Sequence, residues 1–195
     1  MRTTDVDILM VPGWSGSGPD HWQSRWERSL STARRIEQDD WIQPDKTRWV
    51  GRIVTEASRA VRPVVLVAHS LGVAAVVHSA AELPAGLVHA AFLVAPADVE
   101  QAGAWPVTQG EIRFSAESGF APLPMSPLPF AATLIASSDD PYCRLGRARQ
   151  LARAWGAHLV EAGTAGHINV QSGHGPWPEG LLHFGGLLKR LGPAG

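Results

Sequence analysis

Residues 64–75 read Val64-Val65-Leu66-Val67-Ala68-His69-Ser70-Leu71-Gly72-Val73-Ala74-Ala75. A valine-rich apolar run ends abruptly on a serine. A glycine follows two positions later, and small apolar residues then continue in a pattern that suits a helix. A short, continuous apolar run of this kind reads as a strand buried on both faces. A serine on the sharp turn from such a strand into a helix is pushed out at the end of the sheet. The N–H groups that open the helix then face whatever its hydroxyl attacks. The strict form of the turn is G-x-S-x-G, and Ala68 stands where the first glycine would be.

Outward from this turn, short apolar runs alternate with longer amphipathic stretches. Strands are expected at residues 6–11, 34–37, 64–68, 88–94, 131–136 and 158–160. Helices are expected at 21–30, 47–61, 71–82, 144–155 and 179–191. In the first helix Asp20 is the expected N-cap, with Gln23 as its capping-box partner. In the second, Val50, Ile53, Val54, Ala57 and Val61 fall on one face. Strand–helix alternation with apolar strands implies an α/β fold: a three-layer sandwich of about six mostly parallel strands with helices on both faces. No repeat or interdomain linker breaks residues 1–195, so one domain is expected. Residues 96–129 interrupt the rhythm with a proline-rich stretch, Pro122-Leu123-Pro124-Met125-Ser126-Pro127-Leu128-Pro129. An irregular segment of this length reads as a stiff lid or binding loop, against the plainer reading of a surface loop.

Composition narrows the partners. The chain has 195 residues, 45% hydrophobic and 18% charged, with 17 basic and 18 acidic residues and a net charge of −1. That balance gives no reason to expect nucleic acid or an anionic membrane as partner. Cys143 is the single cysteine, which excludes an internal disulfide and a cysteine-based zinc site. No H-E-x-x-H or similar spacing points to a metal, and no cofactor is expected. The acidic start, Asp5-Val6-Asp7, does not resemble a secretory signal, and no apolar run approaches the ~18 residues of a membrane span. A cytoplasmic setting is the expectation. The eight tryptophans read mainly as packing residues.

Parallel sheets carry their active residues at the C-terminal ends of strands. After the fifth expected strand the chain reads Ser137-Ser138-Asp139-Asp140-Pro141-Tyr142, and after the sixth Gly163-Thr164-Ala165-Gly166-His167-Ile168-Asn169. The stretch between Asp140 and His167 can hold one helix and one strand, so both can return to the same sheet edge. Ser70 would attack an acyl carbon, and His167 would take its proton and later deliver it to the leaving group. An aspartate would hold the imidazole in the required tautomer. Asp140 is favoured for that task over Asp139, a loop-capping candidate, and over Asp98. Acyl transfer also needs donors for the oxyanion. The backbone N–H of Leu71 is one. The other is expected from the loop Pro12-Gly13-Trp14-Ser15-Gly16-Ser17-Gly18, with Gly13 giving the turn, Trp14 the N–H, and the Trp14 ring a wall of the acyl site. His21 and His69 are expected to border the pocket, His69 as a packed residue. His174 is the rival base. His78, His89, His158 and His183 read as structural.

Several segments together resemble the small single-domain serine hydrolases of the retinoblastoma-binding-protein/YdeN type, within the α/β-hydrolase superfamily. They are Val11-Pro12-Gly13, His21-Trp22-Gln23, His69-Ser70-Leu71-Gly72, Ser138-Asp139-Asp140-Pro141-Tyr142 and Gly166-His167-Ile168-Asn169. The resemblance implies a compact α/β hydrolase with little or no cap and a triad at Ser70, Asp140 and His167. It also implies esterase-like activity, a carboxylic ester or thioester hydrolase acting on a small-molecule acyl substrate, and tolerance of Ala68 in the turn. Two other readings compete. One is a binding protein with a vestigial triad. The other is a dinucleotide-binding domain, because Gly13, Gly16 and Gly18 follow a strand and Glu37 closes the next, although the spacing is not G-x-G-x-x-G.

Overall fold

The computed structural model describes residues 1–101 and 118–192. After a single 3₁₀ turn the chain forms β1 (Asp7–Val11), α1 (Trp22–Ser29), β2 (Ala33–Arg35), α2 (Lys46–Ser58), β3 (Val64–Ser70), α3 (Leu71–Ser79) and β4 (Val88–Pro96). Then come β5 (Ala131–Ala136), α4 (Leu145–Trp155), β6 (His158–Glu161) and α5 (Pro178–Arg190). The six strands make one sheet in the order β2-β1-β3-β4-β5-β6, and every pairing is parallel.

Alternation along the strands sorts the apolar side chains into two layers. Leu9, Val11, Leu66, Ala68, Leu93 and Leu134 face α2, α3 and α4, where Trp49, Ile53, Leu151 and Trp155 pack. Ile8, Met10, Val65, Val67, Phe92 and Ile135 face α1 and α5, where Trp22, Trp26, Phe184 and Leu187 pack. The central strands β3 and β4 are covered on both sides, which is why their sequence is a run of apolar residues rather than an alternation. The three-layer α/β reading therefore holds.

Boundaries differ from the expectations in physically readable ways. β3 and β4 run on to Ser70 and Pro96, because the turn itself is paired: Ser70 lies opposite Pro96 and its carbonyl accepts from Ala97 N–H at 3.3 Å. α2 stops at Ser58, so Val61 misses the apolar face and is 86% exposed. β2 stops at Arg35 and leaves Glu37 exposed beyond the strand. The cap of α1 is not Asp20, whose carboxylate pairs with Arg25, but His21, whose Nδ1 accepts from Gln23 N–H at 3.2 Å. Gln23 is no capping-box partner either. Its amide is buried between β1 and β3, donating to Val11 O and Val67 O and accepting from Ser17 Oγ at 2.6 Å.

Of the segment read as a lid, residues 102–117 lie outside the described part. The remainder is irregular and anchored on the α2–α4 face: Phe120 is buried against Trp49, Phe120 O meets His78 Nε2 at 2.8 Å, and Pro124 O accepts from Trp155 Nε1.

Candidate active site

At the end of β3 the backbone of Ser70 adopts φ 57°, ψ −124°, a left-handed region that costs a non-glycine residue roughly 1–3 kcal/mol. Packing holds it there. A Cβ on Gly72 would lie 2.2 Å from Val11 O, and one on Gly13 would lie 2.7 Å from Ser70 Cβ and 3.2 Å from Leu71 N. These two glycines let the chain after β1 press directly onto the turn. Gly13 thus serves close approach; the turn is made by its neighbours, with Gly16 N–H donating to Gly13 O and with positive φ at Ser15 and Gly16. Ala68 fits because its methyl points into the α2–α3 layer rather than toward the crowded loop.

Ser70 Oγ lies 2.9 Å from His167 Nε2, and His167 Nδ1 lies 2.9 and 3.0 Å from the two carboxylate oxygens of Asp140. All three residues are buried, at 9, 7 and 8% exposure. A carboxylate on Nδ1 fixes the proton there and leaves Nε2 as the acceptor for the serine hydroxyl. The arrangement can draw a proton off Ser70. Asp139 faces away from the imidazole. It accepts from Ser137 Oγ at 2.6 Å and Gly166 N–H at 2.8 Å, and these bonds hold its carboxyl below the usual range. It ties the loop after β5 to the loop that carries His167. Asp98 is also apart from the imidazole, next to Arg147, with its N–H on Tyr142 O.

The loop after β6 holds His167 between two tight positions, Gly166 at φ 55° and Ile168 at φ 48°. A Cβ at Gly166 would lie 2.6 Å from Ser172 Cβ. Two aromatic N–H groups grip the adjacent carbonyls: His69 Nε2 donates to His167 O and Trp22 Nε1 to Ile168 O, both at 2.9 Å. A carbonyl can only accept, so His69 carries its proton on Nε2. Burial, with His167 and His21 nearby, pushes the His69 pKa well below its ordinary value. Burial first, then the charge of Arg35, lowers that of His21 to about 3. Both rings are therefore neutral. The rival His174 instead meets Ser172 Oγ at 3.1 Å. Cys143 is buried, which together with Asp98 and Asp140 pushes its thiol up to about 12 and leaves it unreactive.

These residues line a cleft of about 730 Å³, within the range of small-molecule sites. Trp14, Ser15, Gly16 and Gly18 form one wall; His21, His69, Ser70 and His167 the floor; Pro141, Tyr142 and residues 169–172 the other wall. The Trp14 ring is fixed by Nε1 donating to Ile42 O. Ser15 and Gly16 engage their N–H groups with Trp41 O and Gly13 O. Among the described residues the N–H groups of Trp14 and of Leu71, the first of α3, have no hydrogen-bond partner. Sequence reasoning missed Tyr142, Asn169, Gln171 and Ser172. The last three directly follow His167 at a strand end, so the rule that located His167 also covered them.

A family model described as "Serine hydrolase" matches residues 8–185. Among solved structures, a YdeN-like hydrolase from Pectobacterium atrosepticum is 34% identical, with 98% of this chain and 95% of that one covered and a TM-score of 0.83. The ydeN gene product of B. subtilis is 20% identical over 93% of this chain and 98% of its own, with a TM-score of 0.70. Mouse alpha/beta hydrolase domain-containing protein 10 is 19% identical over 94% and 90%, with a TM-score of 0.71. The latter two show a shared fold. No curated protein sequence matches the chain.

Proposed function

From the chain's membership of the serine hydrolase family, we propose that it cleaves a small, uncharged carboxylic ester or thioester through an acyl-enzyme on Ser70. The observation that carries this is the unbroken hydrogen-bonded line from Ser70 Oγ through His167 to Asp140. As Ser70 Oγ bonds to the acyl carbon, its proton passes to His167 Nε2, and Asp140 stabilises the imidazolium. The carbonyl oxygen takes negative charge opposite the N–H groups of Leu71 and Trp14, donors of a kind worth roughly 3 kcal/mol each. Collapse expels the alcohol or thiol, which takes the proton from His167. Water then attacks the acyl carbon with His167 again as base, releasing the carboxylic acid and restoring Ser70.

Among the described residues no Asp, Glu, Lys or Arg lines the cleft, and His21 and His69 are neutral. An ionised substrate would leave water for a site with no counter-charge, which favours an uncharged one. Short acyl chains are expected, since residues 96–129 provide little material for a cap. A fluorophosphonate probe should label the wild type and not Ser70→Ala. p-Nitrophenyl esters should be turned over with a short-chain optimum. A folded wild type that resists the probe would refute the hydrolytic reading, and an optimum at twelve carbons or more the short-chain one.

A further inference from the structure

His21 is 6% exposed, lines the cleft, and takes no part in the proton path from Asp140 to Ser70. Its hydrogen bonding is fixed from behind. Nδ1 caps α1 by accepting from Gln23 N–H, so the ring proton sits on Nε2. Among the described residues nothing accepts from that Nε2–H. The ring is buried but this nitrogen stays open to the cleft, so once a substrate displaces water there, an acceptor on the substrate must pair with it or the donor is left unsatisfied.

The place of the ring says which part of a ligand that is. His21 packs on His69 at 4.8 Å between ring centroids, and His69 on His167 at the same spacing. The three imidazoles are in contact through His69, and His21 is near enough to His167 to feel its charge, so His21 borders the part of the cleft that His167 faces. His167 must hand its proton to the departing group, and the leaving half of the substrate therefore occupies this side. The wall above it carries the amides of Asn169 and Gln171 and no charge among the described residues. We propose that His21 is a specificity-determining residue that donates from Nε2 to an uncharged oxygen on the alcohol half of the substrate, so that esters of hydroxylated alcohols are favoured over those of plain alkyl alcohols.

This rests on the hydrolytic reading above, and the test separates the two. Butyrate esters with one acyl group and three alcohols are compared: 2,3-dihydroxypropyl, propyl and choline. In wild type, kcat/KM for the dihydroxypropyl ester should exceed that for the propyl ester about tenfold, since a site with a buried donor discriminates against a substrate lacking the acceptor. The cationic choline ester should be the poorest. His21→Asn keeps a good capping oxygen and withdraws the ring N–H. In that variant the ratio of dihydroxypropyl to propyl ester should fall to near one, whatever happens to either rate alone. Turnover by wild type with a ratio near one, or a tenfold ratio that survives His21→Asn, overturns the proposal. Where His21→Asn fails to fold, His21→Ser, a second good N-cap that lacks the ring N–H, carries the same comparison. Fluorophosphonate labelling is run in parallel. Labelled Ser70 with a flat ratio rejects the His21 assignment alone, whereas no labelling and no turnover reject the hydrolytic reading with it.

Discussion

Asp139 and Asp140 are chemically identical and adjacent in sequence, yet the fold gives them different partners. Asp140 faces His167 Nδ1, while Asp139 holds Ser137 and Gly166. Asp140→Asn should lower kcat by about 10⁴-fold, the size of loss seen when a triad aspartate becomes an amide and the wrong tautomer results. Asp139→Asn keeps the residue size and part of the loop bonding, so a loss of about tenfold or less is expected. Ester turnover under saturation reads both, and a reversed order would move the orienting role to Asp139. Gly13 offers a second test. A methyl there meets Ser70 Cβ at 2.7 Å. Gly13→Ala should cost about 10²-fold in kcat/KM, the scale of an ångström misplacement at a reacting atom. Turnover within threefold of wild type would show that the turn has room to give. Ser70, Asp140 and His167 were legible because each sits at a strand end in the order Ser, Asp, His. The work of Gly13 was not, because it depends on which backbone lies above it.

At the scale of elements, apolar runs and amphipathic periods placed the six strands and five α-helices of the described residues, since burial on two faces or one leaves a period in the chain. What the period cannot carry is how one element is tied to another. Gln23 looked like part of a local cap, but its amide bridges the ends of β1 and β3 and receives the Ser17 hydroxyl from the glycine loop. Its partners are 6, 12 and 44 residues away, beyond any local pattern. Gln23→Leu keeps similar bulk and leaves these buried groups unpaired. A loss of about 2–3 kcal/mol is expected, read as a melting temperature lower by roughly 5–10 °C. Ester turnover should fall as well, because the loop bearing Trp14 loses its tie to the strand bearing Ser70. A variant as stable as wild type would mean that water replaces the amide.

Across the whole molecule, the clearest consequence of the site is a pH dependence of folding. His21 and His69 are buried neutral, with pKa values of about 3 and well below 6.5, and burial lowers His78 as well. The unfolded chain binds protons on these rings near pH 6.5, whereas the folded chain refuses them. Between pH 6.5 and about 3 the unfolded state therefore holds more protons, and stability must rise with pH and fall as the solution is acidified. The size is about 1.4 kcal/mol per pH unit for a ring kept neutral such as His21, and His69 acts in the same direction. Carboxylates act in a different window. Asp7 pays for burial, but the N–H groups of Val61 and Arg62 and the Arg62 guanidinium outweigh that cost and lower its pKa. Asp139 is likewise lowered, by Ser137 and Gly166. Their stabilising effect is lost only as pH falls from the ordinary 3.8 through their lower folded values. The interval from pH 6.5 to 4.5 thus isolates the buried histidines. Urea unfolding at half-unit steps across it should show a steep loss in wild type. In His21→Asn, which titrates one ring fewer, the slope should be shallower by about 1.4 kcal/mol per pH unit. A stability that stays level from pH 6.5 to 4.5 would mean that the imidazole row takes up protons without unfolding, and that the cleft floor is not neutral.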